Sequence, residues 1–423
     1  MPPRPLASFR SFEKFASAPP REAVALETPG GTAADQAELN ARVSAALAAL
    51  EAEQHGRAEG VITAVPEQVA SLMQSYLLEH PPPVPPRGEP IARDPSVDVL
   101  EVRYDERDIL GWIGSFLTFW RGIRDEPWQP PPDAPETIGN GSTLRVALLS
   151  DWGTGLYGAP ECAKSIKKDS AGYGLVLHLG DVYYSGTQEE AREQFLKFWP
   201  RPAGATSRAL NANHEMYTGG EGYFRVILKD FKQRSSCCAI QTDNWLLIGL
   251  DSAYKDHDLT DDQPAWVDRL IARAGTRRVI LFSHHQPFSL LDSQGPKLVA
   301  KLSQQLAAGR VFAWYWGHEH RCVLYDRHLG WGLHGRCIGH GGYPHFRDKL
   351  SHLPQGPKAG WRRHAPKNLV PGGLILDARN DYIKGEEEKY GANGYVTLEF
   401  NGPRLTELVH APDGKVLLKN DLA

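Results

Sequence analysis

From Thr143 onward, short apolar runs alternate with helical segments, and this alternation limits the fold more than any other feature of the chain. The apolar runs at 144–150, 175–180, 207–212, 277–283, 311–316 and 335–341 predict strands, and the segments 187–198, 263–273 and 295–308 predict helices. The segment 239–252 predicts a hairpin, and two further strands near the end meet at Asn401–Gly402. We therefore expect an α/β chain with two mixed β-sheets flanked by helices.

The residues before this pattern predict separate structure. Residues 1–97 predict an N-terminal extension with helices, since Asp35 and Glu38 form a capping box and a second helix follows Pro66, and with a Pro-rich linker at 80–90. We expect these helices to pack on the main body or on a sister subunit, which would make a homo-oligomer; a separate binding function is the alternative. Residues 98–142 predict a connecting segment packed on the core, and 143–423 the main domain.

The composition excludes several classes of partner. A net charge of −4 over 423 residues gives no basic field for nucleic acid, and no apolar run is long enough to cross a membrane. The N-terminus has basic residues but no apolar stretch behind them, so it does not resemble a secretory signal. Five scattered cysteines without a C-x-x-C pair predict reduced thiols and a cytoplasmic location.

Five short polar motifs each follow a predicted strand. They contain Asp151 (SDWGTG), Asp181 and Tyr184 (LGDVYYSG), Asn213 and His214 (NANHEM), His284 and His285 (FSHHQPF), and His318 and His320 (WGHEHRC). A single aspartate after a strand is often a helix cap, and a single buried histidine is usually structural. Together, however, the five motifs predict one convergent site. Carboxylate, amide and imidazole groups without thiolate suit ions such as Fe, Mn or Zn, and a carboxylate can bridge two of them about 3.5–4 Å apart.

The order of these motifs, D-x-G, G-D-x-x-Y, N-H-E, H-x-P and G-H-x-H, resembles the calcineurin-like metallophosphoesterase superfamily over residues 144–345. Within it, the motifs resemble the purple acid phosphatase branch, because the usual D-x-H is D-x-G here and a tyrosine, Tyr184, follows G-D. The resemblance implies a four-layer αββα fold in which 143–423 is a catalytic domain that hydrolyses a phosphate ester. The D-R-G sequence of Ser/Thr protein phosphatases is absent, so we discount that activity.

The resemblance also implies a ligand set for two metal ions. The first ion would be held by Asp151, Tyr184, His320 and a shared oxygen of Asp181, and the second by Asp181, Asn213, His318 and one histidine of SHHQP. His285 keeps the H-x-P spacing with Pro287 and is the chosen ligand, with His284 as the alternative. Tyr183 is the alternative to Tyr184. A phenolate ligand favours Fe(III), paired with a divalent Fe, Mn or Zn ion.

By the same resemblance, a hydroxide that bridges the metals would be the nucleophile, with Asn213 stabilising the phosphate oxygens. His214 would give a proton or hydrogen bond to the leaving group, or would only orient Asn213. The histidine that plant enzymes carry after H-x-P is absent, and His340 or His345 could replace it.

The expected substrate is a small-molecule phosphate ester. Asn213, His340 and Arg347 are the candidate substrate-binding residues, and the basic segment 345–373 forms either a lid over the site or a solvated loop. Two alternatives to a phosphomonoesterase stay open. One is a phosphodiesterase acting on a cyclic nucleotide or another diester, and the other is a metal-binding scaffold without turnover.

Overall fold

The computed structural model describes residues 125–423, except residues 140, 156, 157, 184, 293, 346, 348, 349 and 384–386. Residues 125–423 form one unit. The predicted N-terminal extension and most of the connecting segment 98–142 lie outside the described residues, as does Tyr184. The predicted domain boundaries and the oligomer through the N-terminal helices therefore stay predictions.

The strands of the described part form two mixed sheets. In chain order they are β1 (Glu136–Thr137), β2 (Thr143–Leu149), β3 (Leu175–His178), β4 (Thr206–Ala209), β5 (Cys238–Gln241), β6 (Trp245–Gly249), β7 (Arg278–Phe282), β8 (Val311–Trp316), β9 (Cys322–Arg327), β10 (His334–Ile338), β11 (Trp361–His364), β12 (Gly373–Leu376), β13 (Tyr395–Asn401), β14 (Arg404–His410) and β15 (Val416–Asp421). One sheet has the order β1-β5-β6-β7-β8-β10-β9-β12-β11, and the other has the order β15-β14-β13-β2-β3-β4. The predicted pair of mixed sheets is confirmed.

Helices connect many of these strands. They are α1 (Gly158–Lys168), α2 (Glu190–Leu196), α3 (Asn213–Met216), α4 (Tyr223–Ile227), α5 (Leu228–Asp230), α6 (Asp262–Arg273), α7 (Pro296–Lys301) and α8 (Ser303–Ala307), of which α2 and α4 are π-helical. The single helix predicted over 295–308 is divided at Leu302 into α7 and α8. Within the described residues, none of the helices has the length and apolar character needed to cross a bilayer.

Alternation along β2 explains why the sheet is covered on both sides. Val146 and Leu148 pack in the core between the two sheets, whereas Ala147 and Leu149 pack on the opposite face with α1. Successive side chains of a strand point to opposite faces, so a strand that is apolar at every position needs a layer on each side. Burial of each such side chain is worth about 1.5–3 kcal/mol.

β7 of the other sheet repeats this arrangement. Ile280 and Phe282 join the core between the sheets, and Val279 and Leu281 pack with α6, α7 and α8. The layers are therefore helix, sheet, sheet and helix, as expected for the four-layer αββα fold.

The two sheets bring the polar motifs to one end of the molecule. β2, β3 and β4 are parallel neighbours in the smaller sheet, and β7 and β8 are parallel neighbours in the larger one. The carboxyl ends of parallel strands lie at the same edge, which is where ligands bind in open α/β sheets. The loops after these five strands carry all five motifs.

Candidate metal centre

Four side chains of the motifs sit on strained backbone at the strand ends. Asp151, Asp181, His318 and His320 have φ values of 53°, 77°, 68° and 50°. A left-handed conformation of a non-glycine residue costs on the order of 1–3 kcal/mol and tends to occur at functional sites. The backbone N–H of Asp151 donates to the carbonyl of Gly180 at 2.9 Å, which ties the first two loops together. The strain therefore falls on the residues that the sequence singles out as candidate ligands.

Two glycines of the motifs allow the loops to approach closely. A Cβ on Gly317 would lie 1.9 Å from Oγ of Ser150 and 2.5 Å from Oδ2 of Asp151. Gly180 has a φ of 103°, and a Cβ there would lie 2.5 Å from Cβ of Ala212. Both positions exclude a side chain, which gives a physical reason for glycine in G-D and G-H-x-H.

The first donor group consists of Asp151, Asp181 and His320, whose candidate ligand atoms lie within 4.8 Å of one another. Oδ2 of Asp151 accepts hydrogen bonds from the Ser150 hydroxyl at 2.6 Å and the His318 backbone N–H at 3.1 Å. Oδ1 of Asp151 is buried, lies 3.4 Å from Nε2 of His320, and accepts no hydrogen bond from the described residues. This oxygen is free to bind a cation.

The second donor group consists of Asp181, His284 and His318. Nε2 of His284 lies 3.3 Å from Oδ1 of Asp181, 3.2 Å from Nδ1 of His318 and 3.0 Å from Oδ1 of Asn213. Nδ1 of His284 lies 3.0 Å from the Leu179 carbonyl, which can only accept, so Nδ1 carries the proton and Nε2 a lone pair. Nε2 therefore faces two oxygens that are also acceptors. Such an arrangement suits a shared cation.

The amide of Asn213, the first residue of α3, is oriented by a neighbouring phenol. Its Nδ2 donates to the hydroxyl of Tyr217 at 3.0 Å. Because the nitrogen is used there, Oδ1 faces His284, as a metal ligand would require.

Asp181 belongs to both groups, and each of its oxygens faces a different one. Oδ1 lies 3.3 Å from Nε2 of His284, and Oδ2 lies 3.9 Å from Nε2 of His320. Oδ1 is buried and accepts no hydrogen bond from the described residues. The geometry fits a carboxylate that bridges two cations.

Glu215 holds the backbone of Asp181 in place. Its carboxylate accepts the backbone N–H groups of Asp181 at 3.1 Å and of Val182 at 3.3 Å. The sequence shows Glu215 only as part of N-H-E and does not indicate this role. The contact shows that the third motif supports the second.

Burial sets the electrostatics of both groups. It raises the pKa of Asp151 to about 7 and that of Asp181 to about 8, and it lowers the pKa of His284 and His318 well below the usual value. Buried carboxylates lose their charge unless a cation compensates it, and a neutral imidazole is the form that binds metal. The orphaned oxygens and the oxygen and nitrogen donors therefore fit two hard to borderline metal ions.

The structure brings His284, rather than His285, to the position expected for the ligand of the fourth motif. His285 belongs to neither of the two groups that contain Asp181. Its Nδ1 lies 3.0 Å from the Ser252 hydroxyl, and its ring lies 3.9 Å from that of His257. Because consecutive side chains after β7 point in different directions, only one can face the second group, and the spacing to Pro287 does not decide which.

Among the described residues, the hydroxyl of Tyr183 contacts two residues of the first group. It lies 2.8 Å from Nε2 of His320 and 3.4 Å from Oδ2 of Asp181. The ring of Tyr343 lies 4.7 Å from that of Tyr183. Tyr184, the predicted ligand, is outside the described residues. The alternative between the two tyrosines therefore stays open.

His214 lies beside the first group without joining it. The residue is fully buried, its ring stacks on Tyr183 at 3.7 Å, and its backbone N–H donates to the Asp181 carboxylate. These contacts position the ring next to the candidate ligands.

Of the two predicted substrate residues outside the motifs, Arg347 is engaged by carboxylates of the described residues and His340 is not. His340 is fully buried and belongs to neither donor group. Arg347 pairs with Asp377 at 3.0 Å and with Glu388. Their role in substrate binding stays a prediction.

The three arginines of the basic segment 345–373 are paired with carboxylates. Arg362 pairs with Asp377 at 2.7 Å, and Arg363 pairs with Asp326 on β9. Part of the segment, β11, pairs with β12 as an edge strand of the larger sheet. A lid that offers free arginines to the substrate is therefore not supported by these contacts.

The chain is similar to several known proteins. The structure is similar to that of the purple acid phosphatase PPD1 from yellow lupin seeds, with 15% identity, a TM-score of 0.46, and coverage of 69% of this chain and 55% of the lupin chain. It is also similar to GAP50, the anchor in the inner membrane complex of Plasmodium, with 12% identity and a TM-score of 0.45. The match covers 66% of this chain and 88% of the GAP50 chain. No curated protein matches the chain. Residues 144–322, which include every candidate ligand above, match the model of the calcineurin-like phosphoesterase family.

Proposed function

We propose that the protein is a metal-dependent phosphoesterase with a dinuclear centre. The observation that supports this most directly is the placement of Asp181, whose two oxygens face two separate donor groups. A buried carboxylate in this position has no evident structural use without cations.

The proposed ligands follow from the two groups. Asp151, Asp181 and His320 would hold the first ion, and Asp181, Asn213, His284 and His318 the second. Bound there, two cations would activate a water and stabilise charge on the phosphate oxygens. We further propose Fe(III) with divalent Fe, Mn or Zn, because a phenol adjoins the first group whichever of the two tyrosines is the ligand.

The residues of the chain have distinct parts in this proposal. The Asn213 amide presents its oxygen to the second ion because Tyr217 accepts from its nitrogen. His214 acts as a positioning residue, since its backbone N–H holds the Asp181 carboxylate and its ring packs on Tyr183. Complete burial supports this orienting role over proton donation to a leaving group.

A small-molecule phosphate ester is the proposed substrate, with a monoester and a diester as the two classes to separate. The experiment measures metal content together with turnover of a chromogenic monoester and a chromogenic diester. We expect the metal-loaded protein to hydrolyse at least one ester, the chelated protein to hydrolyse neither, and reloading to restore the rate.

The ratio of the monoester rate to the diester rate assigns the protein as a phosphomonoesterase or a phosphodiesterase. If the metal-loaded protein binds two ions per chain and hydrolyses neither ester, the metal-binding scaffold replaces the enzyme. A rate that is unaffected by chelation would contradict the metal centre itself.

A further inference from the structure

Three histidines form a further donor group beside the proposed centre. His257, His285 and His318, which we call the outer triad, have ligand nitrogens within 4.8 Å of one another. His285 follows β7 and His318 follows β8, whereas His257 lies in the loop between β6 and α6 and has a φ of 54°. The triad thus combines two strand ends with a loop that the motifs do not include.

Two of the three rings are held by oxygen atoms at Nδ1. Oδ1 of Asp256 lies 2.8 Å from Nδ1 of His257, and the Ser252 hydroxyl lies 3.0 Å from Nδ1 of His285. The Asp256 oxygen only accepts, so it fixes the His257 tautomer and leaves Nε2 as the ligand atom, while the Ser252 hydroxyl holds the His285 ring in place; such contacts are the usual support of metal-binding histidines.

Packing alone does not explain the triad. The rings of His257 and His285 lie 3.9 Å apart, and those of His285 and His318 lie 4.7 Å apart. Nε2 of His285 is buried and has no hydrogen-bond partner among the described residues. An unsatisfied buried polar atom costs about 1–3 kcal/mol, a cost that a bound ion would remove.

We propose that the outer triad is a third metal site, which takes a transition-metal ion such as Zn²⁺ and inhibits the enzyme when that metal is in excess. Three imidazole nitrogens suit a borderline ion and leave a fourth position for water. A neutral imidazole has one lone pair, so His318 cannot ligate an ion of the triad and an ion of the second group at once. An ion in the triad therefore removes His318 from the second group, which keeps its own ion through Asp181, Asn213 and His284 but in an altered ligand set.

The inhibition rests on the proposed phosphoesterase activity, whereas the binding of the ion does not. The two are tested separately with His257→Ala, because His257 belongs only to the triad and is half-exposed, so its loss spares the fold. His352→Ala, at an exposed position of the chain, is the matched control.

The binding test counts zinc per chain by elemental analysis after gel filtration from excess Zn²⁺. We expect His257→Ala to retain one ion fewer than both the wild type and His352→Ala. Asp181→Asn should keep the triad ion, because Asp181 is not part of the triad. Equal zinc content in wild type and His257→Ala would overturn the site.

The inhibition test titrates Zn²⁺ against hydrolysis of the chromogenic ester. Loss of one ligand should raise the inhibitory zinc concentration about tenfold or more in His257→Ala. Asp256→Asn, which removes only the charge of the Nδ1 partner of His257, should raise this concentration less. Identical inhibition curves for wild type and both variants would refute the inhibitory role.

The outcomes also separate this proposal from the proposed function. If no ester is hydrolysed but His257→Ala still loses one ion, the triad stands and the phosphoesterase proposal falls. If the wild type hydrolyses an ester and His257→Ala matches it in zinc content and inhibition, the triad alone falls.

Discussion

Asp181 and Glu407 are both fully buried carboxylates, yet their surroundings differ. Glu407 lies in the core between the sheets and accepts hydrogen bonds from Arg336 at 2.9 Å, from the Tyr315 hydroxyl at 2.8 Å and from Asn420 at 2.9 Å. Asp181 faces no arginine or lysine, and its Oδ1 accepts no hydrogen bond from the described residues.

The difference separates a structural carboxylate from one whose surroundings fit an ion. The chain supplies a full set of donors to Glu407, so this residue can stabilise the contact between the sheets. At Asp181 the Tyr183 hydroxyl and the His214 backbone N–H reach the carboxylate, but Oδ1 faces Nε2 of His284, which is itself an acceptor, and this raises the energy of the metal-free site. Burial of a charge alone therefore does not mark a metal site, whereas burial among other acceptors does.

The largest effect should come from Asp181→Asn. The neutral amide cannot bridge two cations, so we expect ester hydrolysis to fall by about 10³-fold or more, as several kcal/mol of transition-state stabilisation are lost. His214→Ala, which removes a positioning ring, should lose less. Rates at saturating substrate together with metal content measure both variants. A greater loss in His214→Ala would contradict the bridging role of Asp181.

Glu407→Gln should lower the stability of the protein and leave its metal content unchanged. It leaves the buried guanidinium of Arg336 without its partner charge, so the free energy of unfolding should fall by about 3–5 kcal/mol. Metal content should not change. Denaturant unfolding and elemental analysis test this, and loss of metal in Glu407→Gln would mean that the two carboxylates are not independent.

Removal of metal should make the stability of the protein depend on pH through Asp181. Burial raises the pKa of Asp181 from an ordinary value near 4 to about 8, so the metal-free folded protein holds this proton when the unfolded chain has lost it. Stability from this group is therefore full below pH 4 and is lost as the pH rises to 8.

The measurement is the unfolding temperature of chelated protein between pH 4 and pH 8. The pKa values of His284 and His318 are lowered, so these histidines add stability as the pH rises to 6.5, which is opposite to the effect of Asp181. The wild type is therefore compared with Asp181→Asn, which has the same histidines. Relative to that variant, the wild type should lose stability as the pH rises, and bound metal should reduce the loss. If the unfolding temperatures of chelated wild type and chelated Asp181→Asn changed in parallel with pH, Asp181 would not have the raised pKa on which this prediction rests.

The sequence predicts the fold and the convergence of the site well, for a physical reason. Buried strands are continuous apolar runs, so the run 311–316 coincides with β8, and ligand residues follow such strands directly. The predicted strands do not include β1, β9, β11, β12 and β15; of these, β11 is a polar edge strand with the sequence WRRH, so it has no apolar run to indicate it.

The parts of the site that the sequence does not resolve are local. His284 and His285 are consecutive, and only the backbone direction after β7 determines which of them faces Asp181. His257 gave no signal, since it is a loop histidine that follows no strand directly and belongs to no motif. Tertiary contacts such as the Asp256–His257 hydrogen bond are needed to notice it.

The smallest effect concerns the two candidate phenol ligands, Tyr183 and Tyr184. In iron-loaded protein, we expect a visible phenolate-to-iron absorption band that Tyr184→Phe removes. Tyr183→Phe should keep the band and weaken metal binding about tenfold, because the Tyr183 hydroxyl contacts His320 and Asp181. Tyr315→Phe, which loses a hydrogen bond to Glu407, is the matched control and should lower only the free energy of unfolding, by about 1.5–3 kcal/mol.

If Tyr183→Phe removes the band and Tyr184→Phe keeps it, the phenol ligand is Tyr183. If the iron-loaded wild type is colourless, the Fe(III) assignment is wrong. Either result would leave the contrast between the two carboxylates intact, because that contrast depends on the donors around Asp181 and Glu407 and not on the identity of the first metal.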